Sequence, residues 1–123
     1  MNIIGTGIDI ASVKRLKDSI RRRPALENKI FTPGEIAYCR SKKNCFLHMA
    51  GRFAAKEAVY KALSAYSAGF YFRDIEIVSG GARPVISADC ALASMLAKKA
   101  LGYSLSIAHE EEYAVAYSVF WEN

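Results

Sequence analysis

Residues 46–63 read FLHMAGRFAAKEAVYKAL. Alanine, leucine, methionine, lysine and glutamate dominate the stretch, so it predicts the strongest helix of the chain. Phe53, Glu57 and Lys61 recur at i, i+4 and i+8 and share one stripe of that helix. Arg52, Lys56 and Tyr60 form the adjacent stripe. Glu57 stands beside Ala54, Ala55 and Ala58. A charge against small apolar surface is costly unless it is paired or holds a metal. The plain alternative for Glu57 is a helical pair with Lys61. The basic stripe is either a solvated face or a surface for a phosphate-rich ligand. His48, near the start of the helix, carries no reading of its own.

Working outward toward the N-terminus, Thr32-Pro33-Gly34-Glu35 has the form of a capping box and predicts a short helix to about Arg40. Residues 2–10, NIIGTGIDI, are rich in β-branched residues and read as a first strand, with Gly5 and Gly7 marking a bulge or a close approach of backbone. Ser12 reads as an N-cap for an amphipathic helix carrying Val13, Leu16 and Ile20 and ending near Pro24. Asp9 closes the first strand between Ile8 and Ile10; it is either a cap for that helix or a functional carboxylate. Toward the C-terminus, residues 64–73 read as irregular, and Arg73 to Ser79 read as a strand. Gly80-Gly81 is a turn, and Pro84 to Ser87 the returning strand. Asp89 is expected to cap a helix carrying Leu92, Met95, Leu96 and Leu101, with Gly102 as its stop. Tyr103–His109 and Tyr113–Trp121 read as a last pair of strands around the acidic turn Glu110-Glu111-Glu112. The order is β, three helices, β-β, α, β-β. It predicts an α+β fold with an antiparallel sheet packed on the long helix.

The chain has 123 residues, about half of them apolar. That predicts one domain, residues 1–123, with a core of its own. No apolar run is long enough to cross a bilayer, and the start reads as a strand rather than a leader. Three widely spaced cysteines, Cys39, Cys45 and Cys90, form no ligand pattern and fit reduced thiols in the cytoplasm. The net charge is +5, and residues 14–23 account for all of it, with six basic side chains against Asp18. A patch so concentrated is either a solvated helix face or a docking surface for an acidic partner. A nucleic-acid module is the rival reading. It calls for aromatic side chains interleaved with the basic ones, and none lies between Lys14 and Arg23. It also leaves Asp9 and Glu57 without a role. If strand and helix pack together, those two carboxylates can meet and hold magnesium with water and substrate phosphate. His109, alone at a strand end, reads on its own as structural.

Taken together the pieces resemble the holo-acyl-carrier-protein synthase family, the short type of 4'-phosphopantetheinyl transferase. The resemblance rests on Gly5-Thr6-Gly7-Ile8-Asp9-Ile10, Lys14-Arg15, Ile30-Phe31-Thr32-Pro33-Gly34-Glu35 and Gly51-Arg52-Phe53-Ala54-Ala55-Lys56-Glu57-Ala58 with Lys61-Ala62. Asp74-Ile75-Glu76-Ile77, Arg83-Pro84 and Ser106-Ile107-Ala108-His109 complete it, over nearly the full length. It implies the phosphopantetheinyl transferase fold and transfer of 4'-phosphopantetheine from coenzyme A to a serine of an acidic acyl carrier protein, in support of fatty acid biosynthesis. It implies magnesium on Asp9 and Glu57, Lys61 near the pyrophosphate and the attacking serine, and Arg52 and His109 along the coenzyme A site. Glu57 itself, or a water on the metal, is the expected proton acceptor. The resemblance makes Lys14, Arg15, Arg21 and Arg22 the docking surface for the carrier. It also implies a homotrimer whose neighbours share active sites, with no role for nucleic acid or membrane. Three stretches depart from the family pattern: Leu63–Gly69 in place of its glycine-rich loop, Ala82-Arg83-Pro84 in place of G-K-P, and Ala108 in place of a hydroxyl residue. They bear on the shape of the coenzyme A site and leave the metal ligands and Lys61 untouched.

Overall fold

The computed structural model of the chain describes residues 1–66 and 69–123. Ser67 and Ala68, within the first of the three departures and the expected irregular stretch, lie outside the described residues. The elements run β1 (Asn2–Ser12), α1 (Val13–Arg22), α2 (Ala25–Ile30), α3 (Pro33–Arg40), α4 (Cys45–Ala62) and a 3-10 turn (Phe72–Asp74). After these come β2 (Ile77–Ser79), β3 (Pro84–Ile86), α5 (Ala91–Lys98), β4 (Leu101–His109) and β5 (Tyr113–Glu122). Strands β1, β5 and β4 form an antiparallel sheet in that order, and β2 and β3 form a separate ribbon. The α+β expectation is borne out, with α4 lying across one face of the sheet.

Alternation along the strands sets which face meets the helix. In β5, Ala114, Ala116, Ser118 and Phe120 are buried, while Tyr113 and Tyr117 point outward and are exposed. In β1 the helix-facing set is Gly7, Asp9 and Ala11, opposite Ser118, Ala116 and Ala114. A Cβ on Gly7 would lie 1.8 Å from the Ala58 carbonyl oxygen, and one on Gly5 would lie 1.9 Å from that of Ala62. The two glycines therefore serve a close approach of strand to helix. The Ala58 oxygen also accepts a hydrogen bond from Ser118 Oγ at 2.9 Å, so the strand beside β1 is tied to the same helix turn. Leu16, Ile20, Ile30, Phe31, Met49, Val59 and Leu105 fill the core around this contact.

Several local signals act as read. Ser12 Oγ accepts from the Arg15 amide and opens α1. Thr32 and Glu35 cap α3 reciprocally, at 3.2 and 2.9 Å. Four differences carry physical reasons. Helix α2 was not expected; Pro24 ends α1, but proline is well suited to a helix start, and a six-residue helix begins directly after it. Arg73 and Asp74 belong to the 3-10 turn and not to a strand, because the Asp74 carboxylate accepts the Tyr71 amide at 2.8 Å and curls the backbone. Cys90, not Asp89, stands at the N-cap of α5, without a side-chain bond. That helix ends before Ala100, whose φ is 54°, so Leu101 starts β4 and Gly102 is no helix stop. Gly102 lies under the Trp121 indole, where a Cβ would come within 2.4 Å of Nε1.

Replacing Gly7 with alanine forces backbone apart from backbone. It is expected to lower unfolding free energy by about 3 kcal/mol or more. Gly81→Ala, at φ 88° in open space, should cost only about 1–2 kcal/mol. Chemical denaturation of the two variants compares them directly, and equal losses would contradict the close approach.

Candidate active site

Helix α4 carries its charges to different fates. Lys56 is completely buried, so neither reading of the Arg52-Lys56-Tyr60 stripe, solvated face or phosphate surface, holds at this residue. Its ammonium lies 2.6 Å from Glu35 Oε1 and donates to the carbonyls of Ile30 and Phe72, both at 2.8 Å. Glu35 in turn accepts the amides of Thr32 and Ile77. Burial lowers the Lys56 pKa from the ordinary lysine value, and Glu35 pulls the other way. The knot joins α4 to the end of α2, the cap of α3, the 3-10 turn and the start of β2. It thereby fixes the Phe72 wall next to Phe53, ring centroids 5.7 Å apart.

One position on from Lys56, Glu57 is half-buried and borders a hollow of about 830 Å³ between α1, α2 and α4, together with Arg15, Leu16, Phe53 and Phe72. Asp9 comes to the same region because β1 alternates: once Gly5 and Gly7 press on α4, residue 9 faces the helix too. Asp9 pairs with Ala116 within the sheet, and Ser12, not Asp9, caps α1. Burial raises the Glu57 pKa above its ordinary value, Asp9 raises it further, and Lys61 lowers it. The alternative helical pair of Glu57 with Lys61 is not among the ion pairs of the described residues. Lys61 Nζ reaches across instead to Asp9 Oδ1 at 3.1 Å and to the Ile8 carbonyl at 3.0 Å.

This arrangement suits a hard divalent cation. Two carboxylates from separate elements repel each other, and both are oxygen donors. Magnesium takes one or two carboxylates and completes its shell with water and phosphate. Among the described residues no cluster of three or more His, Cys, Asp or Glu side chains that could hold a metal ion is present.

Arg52 and His109, expected along one ligand, do share a hollow, of about 220 Å³, with Tyr38, His48 and Arg83. Arg52 is buried, its guanidinium carbon 4.0 Å over the Tyr38 ring, and its Nε has no hydrogen-bond partner. Asp9, Glu57 and Lys61 do not line this hollow. Five residues of α-helix separate Arg52 from Glu57 by about 7.5 Å along the axis and turn them to different sides. The residues expected to dock a carrier lie together on α1: Lys14 pairs with Asp18 at 2.6 Å, Arg21 and Arg22 are exposed, and Arg15 borders the larger hollow. Lys17 and Arg21 each stand 5.9 Å from the Phe46 ring centroid. Sequence reasoning missed His48, which stands four residues before Arg52 on the same helix face; that spacing was the available signal.

Removing the Glu35 charge leaves the buried Lys56 ammonium without its counter-ion. Glu35→Gln is expected to cost about 3–5 kcal/mol, measured by denaturant unfolding. A loss below 1 kcal/mol would mean that the pair does not hold the wall of the site.

The sequence pattern of the 4'-phosphopantetheinyl transferase superfamily matches residues 5–118. Holo-[acyl-carrier-protein] synthase of Desulforudis audaxviator is 38% identical over 120 residues, covering 95% of this chain and 92% of its own. That of Carboxydothermus hydrogenoformans is 40% identical over 120 residues, covering 96% and 98%. Among solved structures, a holo-(acyl-carrier-protein) synthase from Bacillus anthracis in complex with CoA (3',5'-ADP) superposes with a TM-score of 0.79 at 28% identity, covering 100% of both chains.

Proposed function

The chain belongs to the 4'-phosphopantetheinyl transferase superfamily as an enzyme of the holo-[acyl-carrier-protein] synthase type, and from that premise we propose how its own residues perform the reaction. The serine hydroxyl of an apo-acyl carrier protein attacks the β-phosphorus of coenzyme A. A new phosphorus–oxygen bond forms, the bond to the bridging oxygen of the pyrophosphate breaks, and adenosine 3',5'-bisphosphate leaves. The proton of the serine passes to a base. Asp9 and Glu57 would hold magnesium, which supplies charge neutralisation to the pyrophosphate when bound. The observation that carries this reading is the meeting of Asp9, Glu57 and Lys61 from β1 and α4.

The chain's residues divide the work. Lys61, more than half exposed and held only at its tip by Asp9 and the Ile8 carbonyl, is free to turn its ammonium to phosphate oxygens as charge builds on them. Glu57 itself, or a water on the metal, is the proposed base; burial and Asp9 raise the Glu57 pKa in the metal-free protein, and a bound cation would act against that rise. Phe53, Leu16 and Phe72 give the hollow beside Glu57 an apolar wall, which suits the pantetheine arm and excludes water from the attacking hydroxyl. Lys14, Arg15, Arg21 and Arg22 present positive charge to the acidic carrier and steer it onto α1.

A homotrimer with shared sites completes the reading. The outer face of the sheet is apolar and open: Ile8 is 61% exposed, Ile10 63% and Tyr117 45%. A contiguous apolar patch of this kind calls for a partner surface, and copies of the same chain supply one. The Glu57 and Arg52 hollows lie on different sides of α4, so one coenzyme A molecule would span residues of two neighbours. No helix of the described residues is long and apolar enough to cross a membrane. A cytoplasmic place and a supply of holo-carrier to fatty acid synthesis fit the free cysteines and the reaction.

Two measurements test this. Purified protein, coenzyme A, magnesium and an apo-acyl carrier protein should yield a carrier heavier by one phosphopantetheine in the mass spectrum. Chelation should abolish the gain, and Glu57→Gln should slow it about a thousandfold. Near-normal transfer by Glu57→Gln would remove it from the reaction. In sedimentation velocity, a double Ile8→Lys, Ile10→Lys variant should run as a monomer where the unaltered chain runs as a trimer. An unchanged profile would remove the sheet face from the interface.

A further inference from the structure

The smaller hollow holds an arrangement that the proposed reaction does not by itself require. The ring of His48, on α4, lies 6.0 Å from that of His109, at the end of β4, and 6.0 Å from that of Tyr38, on α3. Arg52, one turn further along α4, and Arg83, from the turn between β2 and β3, line the same hollow, and no acidic residue is among its lining. Lys42 stands over the Tyr38 ring at 4.9 Å. From the far side His109 also borders a second hollow with Lys17, Lys43, Glu110 and Glu111. The charged side chains lining the smaller hollow are thus both cations, Arg52 and Arg83, beside two imidazoles. The buried Arg52 guanidinium keeps one nitrogen, Nε, without a partner.

Resting on the coenzyme A reading of this hollow, we propose that His48 is a further ligand-contacting residue, and that a phosphate group of the nucleotide binds there with uptake of a proton by His48. In the free protein the His48 pKa lies below the ordinary histidine value, first because the ring is partly buried, then because Arg52, His109 and Lys42 oppose a further positive charge. These surroundings therefore favour the neutral ring in the free protein. An anion in the hollow reverses the balance of charge, and the folded-state pKa rises. The proton is taken up between the free and the bound value, so binding strengthens as pH falls through that window. The sign is diagnostic. A phosphate monoester beside cations loses its own second proton, so the ligand alone would give release.

Titration calorimetry of coenzyme A into the magnesium-loaded protein, repeated in buffers of different ionisation enthalpy, measures this directly. The expected result is uptake on the order of half a proton per ligand near neutral pH. Uptake should be lost in His48→Gln, whose affinity for coenzyme A should fall about tenfold below neutral pH and little above it. The chain has two histidines, so imidazole nitrogen shifts of the unaltered protein report the same protonation should the variant fold poorly. Titration with 3'-dephospho-coenzyme A identifies the phosphate: uptake that vanishes marks the 3'-phosphate, and uptake that persists marks the pyrophosphate. Transfer and binding without proton uptake, or uptake unchanged in His48→Gln with unshifted imidazole signals, would overturn the proposal alone. Failure of the unaltered chain to transfer phosphopantetheine would instead overturn the functional reading beneath it.

Discussion

The approach of β1 to α4 at Gly5 and Gly7 governs where everything else in the molecule can lie. The carbonyl oxygens of Ala58 and Ala62 occupy the space that a Cβ on either glycine would need, so strand and helix touch backbone to backbone. Ser118 draws β5 to the same Ala58 oxygen, and the sheet follows. Because side chains alternate along a strand, the residue two past Gly7 must face the helix as well. That residue is Asp9, and the helix meets it with Glu57 and Lys61. The proposed metal site is thus a direct consequence of two missing side chains.

A second constraint keeps the opposite wall in place. Lys56 and Glu35 form an ion pair with no solvent access, and each spends its remaining hydrogen-bonding capacity on backbone of a different segment. Such a pair contributes little net stability relative to apolar residues of equal size, but it tolerates few alternative arrangements. Its value here is geometric. It binds the ends of α2 and α3, the 3-10 turn and β2 to α4, and so shapes the larger hollow beside Glu57. Adjacent residues of one helix serve opposite ends: Lys56 locks the frame, and Glu57 stands at the edge of the hollow.

Charge is segregated accordingly. Carboxylates gather where β1 crosses α4, at the proposed metal site. Cations and imidazoles gather at the hollow around Arg52, where the proposed phosphate would bind. The excess positive charge of α1 flanks the larger hollow and faces out. The two hollows turn to different sides of one helix, and in the proposed trimer they would be half-sites that the apolar outer face of the sheet brings together between neighbouring chains.

The periodicity of residues 46–63, the capping box at Thr32–Glu35 and the alternation of the last two strands were legible from sequence, because each is a local signal that tertiary packing reinforces. The resemblance carried by Gly5–Ile10 and Gly51–Lys61 likewise singles out Asp9, Glu57 and Lys61, which the structure brings together where β1 crosses α4. Elements whose limits depend on single hydrogen bonds were not legible: the 3-10 turn drawn by Asp74, the turn at Ala100, and α2 beginning directly after Pro24. Nor was the fate of each charge on α4. Spacing puts Arg52 and Lys56 on one stripe, yet Lys56 is sealed in the core by Glu35 and Arg52 lines a hollow beside Tyr38 and His48. Sequence alone determined which chemistry the chain contains, since residue type and spacing fix the groups a helix or strand can present. Only the tertiary structure decided which groups meet, because burial, counter-ions and the side of α4 a residue faces are set by segments far away in the chain.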